Sequence, residues 1–271
     1  MPARTPTGPP PPPAVQRLRI HYAKRGRLRF TSHRDFQRAF ERAVRRAGVP
    51  MAYSAGFSPH PKISYLGAAP TGVASEAEYL EIAVTSRVDP DALRTALDEA
   101  LPAGLDVVEV LEARSGSLAE RVEASAWRIV LAGVPVGQAR AAVAAFLAAP
   151  AVPVVRTLKD GSRTLDARAA VVLASVAQCT AIQPGEPAVD VDCAILHLVV
   201  RHLTPAVRPD DVLAGLRQVA DLVPPVPPSV SRLAQGLLDA SDPSTGRIAD
   251  PLAPDRGVGQ VADVAGAPLP R

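Results

Sequence analysis

The alternation of apolar and polar positions divides the chain into short strands, amphipathic helices and punctuated loops. Leu18, Ile20 and Tyr22 fall on one side, and Arg17, Arg19 and His21 on the other. That predicts a half-buried strand with a basic outer face. Gly26 marks a turn, after which Leu28 and Phe30 resume the alternation. Ser32-x-x-Asp35 is a helix start signal and Gly48 a stop signal. Between them Phe36, Ala39, Phe40, Ala43, Val44 and Ala47 recur at helical spacing and predict the core face. Met51 to Pro70 has no sustained period and is broken by Gly56, Pro59, Pro61, Gly67 and Pro70. Glu78 to Thr85 alternates as a strand. Asp89-Pro90 starts a helix that ends near Leu101, and Gly104 to Glu112 is a further strand. With a short strand inside Lys62 to Leu66, the order is βαββαβ, the split βαβ, ferredoxin-like pattern.

After a linker at Arg114 to Glu120 a similar pattern begins again. Ala126 to Leu131 reads as a strand and Val136 to Ala149 as an alanine-rich helix. Val152 to Leu158 and Thr164 to Ala170 flank the hairpin turn Lys159-Asp160-Gly161-Ser162. Val171 to Ala177 is an extra strand, Cys193 to Arg201 another, and Pro209 starts a helix to Val219. The expected fold class is α+β, with two tandem ferredoxin-like (βαββαβ) units at 16–115 and 120–222. Residues 1–15, with Pro9 to Pro13, read as a disordered proline-rich head. Residues 223–271, apart from Val230 to Leu238, read as a mostly disordered tail.

Composition adds little to this picture until charge is mapped. The 271 residues are 47% hydrophobic, 21% charged and 4% aromatic, so alanine, valine and leucine fill most of a soluble core. No apolar run is long enough to span a membrane. Prolines stand where a signal peptide would be apolar, so a cytoplasmic location is expected. Cys179 and Cys193 are too few for a disulfide framework or a structural zinc, and fit a reducing compartment. The net charge of +3 hides an asymmetry: residues 16–65 carry +10 and the remainder −7. Such a local field draws polyanions.

The basic residues have a pattern. Arg34, Arg38, Arg42 and Arg45 lie at i, i+4, i+8 and i+11, on one helix face. Arg27 and Arg29 precede them, Arg46 follows, and Lys62 and Tyr53 lie in the next loop. A face of this kind is solvated, paired with acids from elsewhere, or used to bind an anion such as an RNA phosphate. Glu78 is a candidate partner for one of these arginines. Tyr53 or Phe57 is available to stack on a base, although Phe57 reads as a core residue. His33 and His60 form the candidate catalytic pair, as acid and base in RNA cleavage or as phosphate ligands. His60 is held between Pro59 and Pro61. His197 and His202 read as structural. There is no nucleophile elbow, P-loop, dinucleotide fingerprint or metal-ligand spacing, so no metal or cofactor is expected.

The run R-L-R-F-T-S-H-R-D-F-x-R-A-F-x-R-A-x-R-R-A-G-V-P (Arg27 to Pro50) is followed by Y-S-A-G-F-S-P-H-P-K-I-S and G-V-A-S-E-A-E-Y. Together these resemble the radical SAM-linked family of unknown function, clearly from Leu18 to Val110 and more weakly to Leu238. That family occurs alone or fused to a radical SAM enzyme. This chain lacks C-x-x-x-C-x-x-C, so the resemblance implies a stand-alone partner of such an enzyme. The expectation is an RNA-binding accessory protein for tRNA or rRNA, without DNA specificity or membrane attachment. The alternatives are an RNA-acting enzyme using His33 and His60, or a protein-interaction subunit that holds an acidic partner.

Overall fold

A computed structural model describes residues 11–114, 116–158, 161–179 and 192–256. The first ten residues of the expected head, the Lys159-Asp160 turn and residues 257–271 of the expected tail lie outside them. The described residues form two compact units. One is built from residues up to Ala119 together with Leu252 onward, the other from Glu120 to Pro251.

The first unit runs β1 (Gln16–Lys24), α1 (His33–Arg46), β2 (Ile63–Leu66), β3 (Ala74–Val84), α2 (Pro90–Ala100), β4 (Leu105–Glu112). Its strands pair antiparallel in the order β4-β1-β3-β2. Leu18, Ile20, Tyr22, Leu80 and Ile82 face the two helices, which bury Phe36, Phe40, Val44, Leu93 and Leu97 against them. Two expectations fail here. Gly26–Phe30 is a 3-10 turn and does not resume the strand, because Gly26 enters it at φ +53°. Phe30 is consequently 59% exposed. The basic outer face of β1 survives only at exposed Arg17, since Arg19 is 1% exposed.

What covers Arg19 is a strap from the far end of the chain. Leu252 joins Ala77, Tyr79, Leu111 and Leu118 in a second apolar cluster. The Asp255 carboxylate accepts from Arg19 Nη1 at 2.7 and 2.9 Å and from the Arg114 N–H at 3.0 Å. Arg19 Nε donates to Glu81 at 3.1 Å, and Arg256 Nε to Glu109 at 2.8 Å.

The second unit runs β5 (Ala124–Ala132), α3 (Val136–Ala148), β6 (Pro153–Leu158), β7 (Gly161–Asp166), α4 (Ala167–Ala170), β8 (Val171–Gln178), β9 (Cys193–Arg201), α5 (Pro209–Ala220), β10 (Ser229–Gly236). The sheet order is β10-β5-β9-β8, again antiparallel. The hairpin β6–β7 forms a separate two-stranded sheet, so β8, read as an extra strand, takes the sheet edge. Thr164 to Ala170 is not one strand: Asp166 caps α4 by accepting from the Arg168 N–H. Arg156 on β6 donates to Asp211, which also accepts from the Arg208 N–H and so caps α5.

Beyond Val230 to Leu238, which the expectation excepted, residues 223–256 are not a disordered tail either. After β10 the chain bridges Leu238 to Ile248 around a turn at Pro243–Thr245. Leu238 and Ile248 pack on Ala124 and Val199. A Cβ on Gly236 would stand 1.9 Å from the Ala249 carbonyl oxygen, a backbone atom that cannot yield cheaply. Gly236→Ala will therefore destabilise the second unit by about 1–3 kcal/mol, read from its urea midpoint. Cys179 and Cys193 stand 5.5 Å apart at Cα and form a disulfide. The scarcity of cysteine thus ceases to argue for a reducing compartment.

His197 on β9 has its Nδ1 buried without a hydrogen-bond partner among the described residues. Burial, and then the charge of Arg128, hold its pKa below the ordinary 6.5. The unfolded chain then takes up the proton first. Stability of the second unit will fall as pH drops through and below about 6.5, and His197→Leu will make that dependence shallower in urea titrations.

Candidate functional site

The arginine helix forms as its local signals dictate. Ser32 Oγ accepts from the Asp35 N–H at 3.2 Å and caps α1. At the other end the Val49 N–H reaches the Val44 carbonyl and the Gly48 N–H the Arg45 carbonyl, with Gly48 at φ +64°. That is a Schellman termination, which needs the left-handed residue glycine supplies. Phe36, Phe40, Ala43 and Val44 are buried, and Ala47 packs against the same core. Phe36 stacks on Tyr22 at 4.4 Å and meets Tyr65 edge-on at 6.0 Å.

The opposite face carries Arg34, Arg38, Arg42, Arg45 and Arg46, all exposed. The pairs Arg34/Arg38, Arg38/Arg42 and Arg42/Arg46 are like charges at i,i+4, each destabilising by about 0.2–0.5 kcal/mol. The cost, on the order of 1 kcal/mol, is small beside roughly 1.5–3 kcal/mol for each buried Phe or Val. The fold therefore carries the charged face without needing it.

The structure sorts the remaining basic residues into two groups. Arg17 and Arg19 pair with Glu81, Arg19 also with Asp255, and Arg25 with Glu76 and Asp106. Glu76 above all raises the Arg25 pKa beyond its already high value. Lys24 is buried and donates to the carbonyls of Ala69 and Pro70. Arg27, Arg29, Arg34, Arg38, Arg42, Arg45, Arg46 and Lys62 have no ion pair among the described residues. Arg29 lies over the Phe30 ring, 4.8 Å from its centroid. Glu78 does not reach the helix face: it is 2% exposed and accepts from the Ala69 N–H.

The loop after α1 is more ordered than its sequence suggests. Tyr53 bridges to Pro61, and Ser54 and His60 exchange hydrogen bonds of 2.9 and 3.0 Å. The Lys62 N–H reaches the Ala52 carbonyl, and the Ala52 N–H the Ala83 carbonyl, which ties the loop to β3. The result is a short hairpin whose tip holds Gly56 at φ +141°. Phe57, read from the sequence as a core residue, is 70% exposed at that tip, and Tyr53 is 41% exposed. Its flanking glycine and Ser58-Pro59 were the available signal, and hydrophobicity outweighed them.

His33 packs edge-on against Tyr65 at 5.1 Å, with its Nε2 3.1 Å from Gln37 Nε2. His60 is exposed on the hairpin. No hydrogen bond or ring contact joins the two among the described residues. The Tyr65 hydroxyl is buried without a partner among the described residues, and burial first, then Glu41, raises its pKa. On the other face of the first unit's sheet a cavity of about 600 Å³ is lined by Arg17, Arg19, Ser64, Leu66, Glu81 and Arg114. Arg17 and Arg19 are already engaged there with carboxylates. Among the described residues no cluster of side chains could hold a metal, and no helix is long and apolar enough to cross a membrane.

Residues 17–209 match the family described as an uncharacterized protein conserved in bacteria, DUF2344. The chain belongs to this family. No curated protein matches it. The DUF2344 segment contains α1, the hairpin and, Gln16 apart, the sheet of the first unit. It stops where α5 begins, so β10 and the strap that covers Arg19 lie outside it.

Proposed function

We propose that this DUF2344 protein is an RNA-binding accessory protein that docks structured RNA, of the tRNA or rRNA class, on the arginine face of α1. The observation that carries the reading is the row of exposed arginines with no ion pair among the described residues, on a helix whose core face is fully used. That Arg17, Arg19 and Arg25 are paired internally while these are unpaired among the described residues supports docking of an external polyanion. Docking at phosphates needs little more than placed positive charge and gives affinity without sequence selectivity. On the resemblance of Arg27 to Ser64 to the radical SAM-linked family, the protein presents its RNA to a radical SAM enzyme or another RNA-processing enzyme in the cytoplasm. The proposal also takes both units as ferredoxin-like. The strand orders β4-β1-β3-β2 and β10-β5-β9-β8 support this, with β6, β7 and α4 as an insertion in the second.

The test is crosslinking and sequencing of RNA that copurifies with the chain, beside an Arg38→Glu/Arg42→Glu variant. One RNA class enriched with the wild type and lost from the variant is the expected result. If neither sample yields RNA, the proposal fails and the face becomes a dock for an acidic protein.

A further inference from the structure

Between Glu41 and Glu76 the chain contains no carboxylate, only Arg42, Arg45, Arg46, His60 and Lys62 as charged or titratable cations. The hairpin lies wholly inside that stretch. Along that stretch its exposed aromatics therefore have only cations as charged sequence neighbours, with Arg45 and Arg46 leading into it and Lys62 leading out. Backbone bonds at Ser54–His60 and Ala52–Lys62 close it. Residues before Pro59 and Pro61 are restricted to extended backbone. Phe57 is thus held outward by a braced tip.

Resting on the RNA-docking reading, we infer that this hairpin selects RNA carrying an unpaired nucleotide beside its helical part, with Phe57 stacking on that base. The chemistry favours this occupant. Phenylalanine offers a π-face and no hydrogen bond, so it takes any base and reads none. A base inside a duplex already has neighbours on both faces and offers no surface to Phe57, whereas an unpaired one does. The adjacent cations hold the phosphates on either side. Tyr53, on the same hairpin, provides a second ring.

The experiment measures binding to a blunt RNA duplex and to the same duplex with a single-stranded extension, whose first unpaired position is 2-aminopurine. The proteins are wild type, Phe57→Ala, Phe57→Trp and Arg38→Glu/Arg42→Glu. Wild type should bind the extended duplex about ten-fold more tightly than the blunt one and quench the 2-aminopurine. Phe57→Ala should lose that margin and the quenching while keeping its affinity for the blunt duplex; Phe57→Trp should keep both. The arginine variant should lose both RNAs. Equal affinity of wild type for the two RNAs, or an unchanged margin in Phe57→Ala, overturns the inference and leaves the docking proposal standing. Failure of wild type to bind either RNA overturns both. Because Phe57 is exposed, its variants will fold, and their urea midpoints verify that.

Discussion

Asp255→Ala will destabilise the first unit by about 3–5 kcal/mol, the penalty typical of breaking one side of a buried ion pair. The carboxylate is the principal acceptor for a guanidinium that is 1% exposed. Removing it takes the main carboxylate from a buried guanidinium, although Glu81 still accepts from Nε and the Gly116 carbonyl from Nη2. It also frees the Arg114 N–H. In urea the first unit's transition should move down by roughly 2 M, taking a slope of about 2 kcal/mol/M. The double replacement Arg19→Met/Asp255→Leu should recover most of the loss, because apolar groups of similar volume need no such compensation. A shift below about 1 kcal/mol for Asp255→Ala would show that the strap is dispensable.

That strap also marks where sequence reading stopped. The alternation in β1 assigned Arg19 to the side away from Leu18 and Ile20, and the assignment holds. What the alternation could not say is what lies over that side. The cover comes from a residue 236 positions away, in a stretch of proline, alanine and aspartate with no period of its own. The same difficulty left the periodicity at Val230 to Leu238 without an assigned place, which β10 (Ser229–Gly236) takes by pairing with β5. In the second unit the local signal won wrongly: Lys159-Asp160-Gly161-Ser162 is strong hairpin chemistry, so the strands flanking it read as members of the main sheet. They are a satellite, and the edge belongs to β8. By contrast α1 was legible to its caps, because start signal, core spacing and stop glycine all act within a few residues.

The site divides along the same line. The arginine face was readable because helical spacing alone puts Arg34, Arg38, Arg42 and Arg45 together. Which cations remain unpaired was not readable, since Glu76, Glu81, Asp106 and Asp255 reach their partners only through the folded sheet. Phe57 was misplaced because hydrophobicity argues for burial, while the hairpin that exposes it depends on long-range bonds from Ala52 and Lys62 to β3.

On the RNA-docking proposal, replacing Arg34, Arg38, Arg42 and Arg45 together by alanine should move binding and stability in opposite directions. The four span about 16 Å of helix at 1.5 Å per residue, enough to meet several phosphates of one strand. Each phosphate contact contributes roughly 0.7–0.9 to the slope of log affinity against log salt, so the slope should shrink by about 3. Between 50 and 200 mM salt the wild type should then lose on the order of a hundred-fold more affinity than the variant. Stability should move the other way. The substitutions remove like charges at i,i+4 and install the best helix former, a gain of about 1 kcal/mol at low salt. A surface that is merely solvated would show the gain in stability without the change in salt slope. A surface paired with acids inside the fold would show a loss of stability. Only a face kept for an external polyanion gives a more stable protein that has lost its salt-sensitive binding, and electrophoretic mobility shifts beside urea titrations read both quantities on one preparation.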